Sequence, residues 1–272
     1  MANLFKLESG KLLSVIGKLA QGGFTAEMAE VADTNPEIVR VMVDAARKFV
    51  EEAELNPFEM TLSEQIEALK AAIREEGWDI PVETIARLAE TAPAWPKGKD
   101  SYRSFRIRFG EGDEGVAKTF EAHMARIKRV HGDQKFWRWD LLLSGKHPYE
   151  GEDVERLRLL SGNAGHTLVV EWTIVHLDAN RKRKSIEAVR GPKSLADEGL
   201  VMAWLFPKRV QAIDYDKWSA WFCAGYELNV PVRDESWRNV PCVSFNRRTG
   251  RVRLDAYWPD CVSSDFSVPV SG

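Results

Sequence analysis

The chain has 272 residues, of which 44% are hydrophobic and 29% are charged, and its formal net charge is -3 at pH 7. These values are ordinary for a globular protein and exclude a disordered, collagen-like or coiled-coil chain. The longest apolar stretches, such as "LVMAWLF" at residues 200–206, are too short to span a bilayer, so no membrane segment is predicted.

The charge is unevenly distributed along the chain. Residues 1–98 contain 10 Lys and Arg against 17 Asp and Glu, a net of -7, whereas the remainder carries a net of +4. The character changes near "TAPAWPKGKDS", where Pro93 and Pro96 cannot continue a helix. We therefore expect two domains, an acidic helical domain at residues 1–97 and an α+β domain with an antiparallel sheet at residues 98–272.

The first domain is predicted to be a helical bundle. Asn35 and Pro36 open a long helix as N-cap and first residue, and Thr61 and Glu64 form a capping box for another, which Gly77 ends. Short helices are also predicted around these two. The helical segments are "GKLLSVIGKLA", a short one after Thr25, "NPEIVRVMVDAARKFVEEAEL", "TLSEQIEALKAAIREEG" and "IPVETIARLAE".

The segment "FTAEMAEVADTNPEIVRVMVD" has the spacing of a helix-turn-helix motif. However, Asp33 and Thr34 occupy its turn, and Glu37 lies at the start of the second helix, where a DNA-reading helix needs positive charge. We therefore interpret the segment as a helical pair that packs without binding DNA.

The second domain begins with "YRSFRIRF", whose two-residue alternation predicts a strand with one buried and one solvent-exposed face. Phe105, Ile107 and Phe109 define the buried face, and Arg106 and Arg108 lie on the exposed one. The spacing of the next apolar residues predicts a helix over Val116, Phe120, Met124 and Ile127.

Further strands are predicted at "KFWRWDLLLS" and "HTLVVEWTIVHLD", which are rich in aromatic and β-branched residues. "SLADEGLVMAWLF" and "YDKWSAWFCAGYEL" are ambiguous between helix and strand. "VPCVSFNRRTGRVRLDAYW" predicts a hairpin with Gly250 in its loop and with Phe245 opposite Val252. Eight of the ten tryptophans follow residue 98, so we expect an aromatic core under an antiparallel sheet.

The C-terminal half resembles a recurrent group of hypothetical proteins from candidate-phyla bacteria. The resemblance lies in "LRLLSGNAGHTL", "LVMAWLFPKRVQAIDYDKWSAWFCAGYEL", "WRNVPCVSFNRRTGRVRLDAYWP" and the final "SVPVSG". It implies a recurrent C-terminal module over roughly residues 152–272 and assigns no catalytic residue.

The stretch "RFGEGDEGVAKTF" contains a G-x-G-x-x-G motif, the pattern of a dinucleotide-binding loop. A pyrophosphate would meet the carboxylates of Glu111, Asp113 and Glu114 in that loop, and the preceding strand carries arginines unsuited to a parallel strand buried on both faces. We therefore expect a flexible turn and no cofactor.

Three cysteines, Cys223, Cys242 and Cys261, are an odd number in a chain that shows no signal peptide. This argues against a disulfide framework and for a reducing compartment, so we expect a cytoplasmic protein. The cysteines are evenly spaced, but zinc sites use close pairs such as C-x2-C. We predict no metal site and interpret the thiols as small hydrophobic residues.

Basic residues alternate with aromatic ones in the second domain, a pattern that suits single-stranded nucleic acid. Lys and Arg also keep edge strands from aggregating, and this is the interpretation that we favour. The residues that would form a phosphate-facing surface are Arg106, Arg108, Arg181, Lys182, Arg183, Arg247, Arg248 and Arg251.

His176 and Asp178 form an H-x-D pair, which a strand would direct to one side. It is the best candidate for a catalytic site, and no nucleophile elbow, P-loop or H-E-x-x-H motif is present. By elimination, we predict a non-catalytic protein that binds a protein partner. The alternatives are a nucleic-acid-binding protein that uses the basic surface, and a hydrolase built around His176.

Overall fold

The structure is a computed structural model of the chain, and it describes residues 56–110, 112–142, 157–160, 168–177, 185–228, 239–261 and 265–272. These residues belong to one compact unit, Asn56–Gly272. They form helices together with antiparallel and mixed sheets, so the fold is mixed α+β. The helices predicted before residue 56, including the pair with helix-turn-helix spacing, lie outside the described residues.

The first two described helices have the limits that the sequence predicts. Helix α1 spans Leu62–Glu76, and helix α2 spans Val82–Glu90. The hydroxyl of Thr61 accepts a hydrogen bond from the backbone N–H of Glu64, whose carboxylate accepts one from the backbone N–H of Thr61. The predicted capping box is thus confirmed, and Gly77 caps the C-terminal end of α1 as expected.

Strand β1, Ser101–Phe109, is an edge strand of a three-stranded antiparallel sheet of order β1-β4-β10. Strand β4 is Leu168–His176 and β10 is Val270–Ser271. Every residue of β1 except Arg106 is buried. The strand is confirmed, but the prediction of a solvent-exposed face is wrong, because α1 and α2 cover one face and helix α5, Asp197–Leu205, covers the other.

Helices α1 and α2 share the core of this sheet. Leu69 and Leu88 are buried in the same hydrophobic cluster as Phe105 of β1. The indole N–H of Trp172 in β4 donates a hydrogen bond to the carbonyl of Leu88 at 2.8 Å. The domain boundary expected near residue 97 therefore falls inside the unit that begins at Asn56, since the chain before and after it contributes to one core.

The second sheet has five strands in the order β2-β8-β7-β5-β9. At its centre, β7 and β8 form the predicted hairpin, in which Phe245 lies opposite Val252. Gly250 in the loop has a φ of 65°. A further antiparallel pair is formed by β3 and β6. The bounds of these strands are Phe136–Arg138 (β2), Leu157–Leu159 (β3), Ala220–Phe222 (β5), Tyr226–Leu228 (β6), Val240–Asn246 (β7), Arg251–Tyr257 (β8) and Phe266–Ser267 (β9).

The remaining helices are α3, Gly112–His131, α4, Ile186–Val189, and α6, Pro207–Gln211, besides α5. The apolar residues predicted for α3 are buried, among them Phe120 and Ile127. Every residue of α5 is buried. A helix enclosed on all sides has no polar face and so shows no helical period, which explains why its sequence was ambiguous. The other ambiguous segment forms the short strands β5 and β6.

Candidate functional site

The two arginines that the sequence places on an exposed face of β1 lie in an ionic cluster with helix α5. Nη2 of Arg108 contacts Oδ2 of Asp197 at 2.6 Å, and Nε of Arg106 donates to Oε1 of Glu198 at 2.5 Å. Tyr226 donates its hydroxyl hydrogen to Asp197. The carboxylates lie in the first turn of α5, where the helix dipole favours negative charge. Arg108 is thus paired with a carboxylate inside the fold, whereas 35% of the Arg106 side chain stays exposed.

Burial in this cluster changes the protonation of its members. It raises the pKa of Asp197 to about 6 against the opposing charge of Arg108, and the carboxylate of Glu198 adds to the rise. Burial, with both carboxylates nearby, also raises the pKa of the Cys223 thiol. A thiol that stays protonated is a poor nucleophile and a poor metal ligand, so Cys223 has the character of a structural residue.

Two of the three cysteines lie where small hydrophobic residues are expected. Cys223 and Cys242 are fully buried, Cys261 is partly exposed, and all three are free thiols. Within the described ranges, no group of three or more His, Cys, Asp or Glu residues has the arrangement of a metal site.

Among the residues that the structure describes, no helix is both long and apolar enough to cross a membrane.

His176, the candidate catalytic histidine, lies at the end of β4, opposite Ser101 of β1. The Oγ atom of Ser101 is 2.8 Å from Nδ1 of His176. The sequence gives no sign of this pair, because only the antiparallel register brings together residues 75 positions apart. Asp178 lies outside the described residues. Asp100, which precedes Ser101 in the chain, forms an ion pair with Arg209 at 2.8 Å. The hydrolase built around His176 stays a prediction.

The glycines of the G-x-G-x-x-G motif are explained by the close packing of α3 against the end of β1. Strand β1 pairs antiparallel with β4, whereas a dinucleotide-binding loop follows a strand of a parallel sheet. A Cβ atom placed on Gly115 would lie 2.3 Å from the carbonyl carbon of Gly110. Gly115 therefore allows the first turns of α3 to approach the end of β1 closely, and Gly110 itself has a φ of 125°.

An apolar groove lies between α1 and α2. Its cavity has a volume of about 440 Å³, and its lining is apolar except for Lys70 and Arg74 at the rim. Val82, the first residue of α2, has 78% of its surface exposed. We refer to this feature as the α1–α2 groove; its apolar lining consists of Ile66, Ile73, Ile80, Val82, Ile85, Ala86 and Ala89.

The cations at the rim of the groove are available to a partner. Lys70 lies 2.9 Å from Glu67, and Arg74 lies 3.8 Å from Glu75. Both pairs are exposed, with 74% of the Arg74 side chain in solvent. Exposed ion pairs of this kind contribute little free energy, so a carboxylate on a partner can compete for either cation.

Of the other basic residues, Arg247, Arg248 and Arg251 lie at the loop end of the β7–β8 hairpin and are exposed. Arg181, Lys182 and Arg183 lie outside the described residues. Trp137 and Arg253 lie beside Arg251 at this end of the sheet, and neither is among the residues predicted for a phosphate-facing surface. The alternation of "RVRLD" would have placed Arg253 on the same face as Arg251.

Comparison of the chain with protein-family models, curated proteins and solved structures found no match.

Proposed function

We propose that the protein binds a partner protein, and that the α1–α2 groove is the binding site. The supporting observation is an apolar cavity of about 440 Å³ that contains an exposed valine. Exposed single apolar residues are common on protein surfaces, but an apolar groove with a polar rim is a recurrent feature of binding surfaces.

The chemistry of the groove indicates the kind of partner. Two helices with an apolar cleft between them accept the apolar face of an amphipathic helix, which inserts side chains at spacings of three and four residues. Lys70 and Arg74 lie on the rim of the cleft. We therefore expect the partner helix to carry Asp or Glu beside its apolar face, since complementary charge fixes orientation and increases the association rate.

The test is selection of helix-forming peptides from a displayed library on the full-length protein. Selected peptides should share apolar residues at helical spacing and flanking carboxylates. Val82→Asp should weaken their binding by about tenfold or more, because it places a charge in the apolar contact. Fluorescence anisotropy with labelled peptides measures the change.

Arg251→Gln, in a different part of the fold, is the matched control and should leave peptide binding unchanged. Arg74→Glu should weaken the peptides with acidic flanks more than peptides in which those flanks are neutral. The proposal would be contradicted if no peptide is enriched, or if the selected peptides bind Val82→Asp and Ala86→Asp as well as wild type.

A further inference from the structure

The exposed end of the second sheet, beside the β7–β8 loop, has a composition that protein binding at the α1–α2 groove does not explain. In the register of β2, β8 and β7, Trp137 lies opposite Arg253, and Arg251 lies opposite Asn246. The residues that alternate with these arginines, such as Val252, point into the core. Trp137, Arg251 and Arg253 therefore share the opposite face, which is exposed at this end and is covered further along β7 by a second hydrophobic cluster that includes Val240 and Cys242.

An aromatic ring and a guanidinium group lie together on this face. The Cζ atom of Arg253 lies over the ring of Trp137, 4.7 Å from its centroid. Trp137 is partly exposed, and 37% of the Arg253 side chain is exposed. Nη2 of Arg253 also donates to Asp255 at 2.8 Å, which fixes its orientation. The pair offers a planar, partly exposed surface for stacking.

A small polar cavity adjoins this pair. It has a volume of about 220 Å³ and is lined by Trp137, Asn246, Thr249, Arg251 and Arg253. Drug-sized ligands occupy roughly 300 Å³ or more, so the cavity suits one base or one phosphate and not a whole dinucleotide. Nε of Arg251 donates to the carbonyl of Gln134 at 3.0 Å. This contact holds an exposed cation at the edge of the cavity.

The charge of this region is positive. Arg247 and Arg248 lie in the exposed loop next to Arg251. Within the described residues, Arg247 has a distant carboxylate partner, Asp214 at 3.9 Å, and no ion pair is found for Arg248 or Arg251. A phosphate would find several guanidinium groups, which bind it with two hydrogen bonds each.

Protection of an edge strand does not explain these arginines. Strand β8 is an inner strand of the sheet, between β2 and β7. Arg253 lies directly opposite Trp137 of the neighbouring strand, so it shields no open sheet edge from aggregation. The edge strand next to β8 is β2, which carries the aromatic residue.

We propose that this face binds single-stranded nucleic acid, with a base stacked at Trp137 and Arg253 and with backbone phosphates bound by Arg251 and Arg248. Stacking on an aromatic side chain requires an unpaired base, which a duplex does not offer. Ribose and deoxyribose strands have the required phosphates and bases in common, so the choice between RNA and DNA is left to the measurement.

The experiment measures fluorescence anisotropy of labelled oligothymidylate and oligouridylate with the full-length protein at several salt concentrations. The dissociation constant should rise by about tenfold between ~50 and ~200 mM salt if two or three phosphates are bound. Arg251→Gln should weaken binding and lower the slope of log affinity against log salt by about 0.7. An oligomer of the same length without bases should bind about tenfold more weakly, because it cannot stack.

Two further variants separate this site from the proposed protein site. Trp137→Leu should weaken the oligonucleotide about tenfold and leave binding of the abasic oligomer unchanged. Arg74→Gln removes another exposed arginine, from the α1–α2 groove, and should not change the affinity for nucleic acid. Arg251 is exposed, so its variant folds even if Trp137→Leu does not, and a thermal melt checks both.

Preference for uridylate would identify RNA as the ligand, and preference for thymidylate would identify DNA; either result supports the site. The proposal is overturned if the protein does not bind either oligonucleotide at ~50 mM salt, a concentration at which phosphate contacts are weakly screened. It is also overturned if the abasic oligomer, a duplex or polyglutamate binds equally well, or if Arg251→Gln binds like wild type.

Discussion

At the scale of single residues, His123 of α3 shows how burial selects a protonation state. Its Nδ1 atom accepts a hydrogen bond from the indole N–H of Trp204 at 3.2 Å, and its Nε2 atom lies 3.0 Å from the carbonyl oxygen of Ile107. The ring proton is therefore on Nε2, and a second proton at Nδ1 would face a donor. Burial lowers the pKa of His123 to about 4, and the charge of Arg108 contributes.

We predict that His123→Gln reduces the sensitivity of the protein to acid. The pKa of His123 is about 4 in the folded state and about 6.5 in the unfolded state, so the unfolded state binds more protons between these values. The free energy of unfolding of wild type therefore decreases as the pH falls through this range. The contribution of His123 is up to about 3 kcal/mol, and Gln removes it.

Asp197 acts in the opposite direction. Its pKa is raised from 3.8 to about 6, so the folded state binds the extra proton and gains stability as the pH falls through that range.

The test of His123 is urea denaturation of wild type and His123→Gln at several pH values. Because the pKa of His123 is lowered in the folded state, His123→Gln should gain stability relative to wild type toward pH 4. Lys128→Gln, an exposed control, should follow wild type. Parallel pH profiles of wild type and His123→Gln would contradict the assignment.

At the scale of secondary-structure elements, two glycines serve different purposes. Gly250 has a φ of 65°, and an added Cβ atom would meet no atom within 4 Å. Gly115 has the reverse problem, since its added Cβ atom would lie 2.3 Å from the backbone of Gly110. One position needs an unusual backbone conformation, and the other needs the absence of a side chain.

We predict that Gly115→Ala is much more destabilising than Gly250→Ala. Gly250→Ala should cost about 1 to 2 kcal/mol, the cost of a left-handed conformation for a residue with a Cβ atom. Gly115→Ala should cost about 3 kcal/mol or more, because α3 must move away from β1. Chemical denaturation of both variants measures the difference. Equal losses would mean that the contact between Gly110 and Gly115 yields easily.

At the scale of the whole molecule, the sheet of β1, β4 and β10 depends on α1 and α2 for one of its covered faces. Phe105 stacks on Trp172 with ring centroids 4.4 Å apart. Phe105 and Ile107 have no exposed surface. Each buried side chain of this size contributes roughly 1.5 to 3 kcal/mol, against a total stability of about 5 to 15 kcal/mol for a typical protein.

We therefore predict that a fragment of residues 98–272 loses cooperative folding, whereas a fragment of residues 56–272 keeps it. Removal of α1 and α2 exposes the stacked aromatic pair and leaves the backbone carbonyl of Arg103 without its hydrogen bond from Gln65. Calorimetry and near-ultraviolet circular dichroism compare the two fragments. A cooperative melt of 98–272 at the temperature of 56–272 would instead support the domain boundary near residue 97.

The sequence by itself determined the elements whose signals are local. The capping box at Thr61 and the alternation from Tyr102 to Phe109 depend on near neighbours in the chain, and so does the hairpin closed at Gly250. Each was predicted from patterns of hydrogen bonding, side-chain alternation or backbone conformation that act over a few residues.

Only the tertiary structure decided which elements meet. Nothing in the neighbourhood of Arg108 shows that Asp197 will pair with it 89 residues later, and the pairing turns an expected solvent-exposed face into a buried one. The stacking of Arg253 on Trp137 also arises between segments distant in the chain. The alternation of apolar and polar residues along a strand shows which face packs against apolar residues. It does not show whether the polar face is exposed to solvent or is covered by carboxylates, because arginines give the same pattern in both cases.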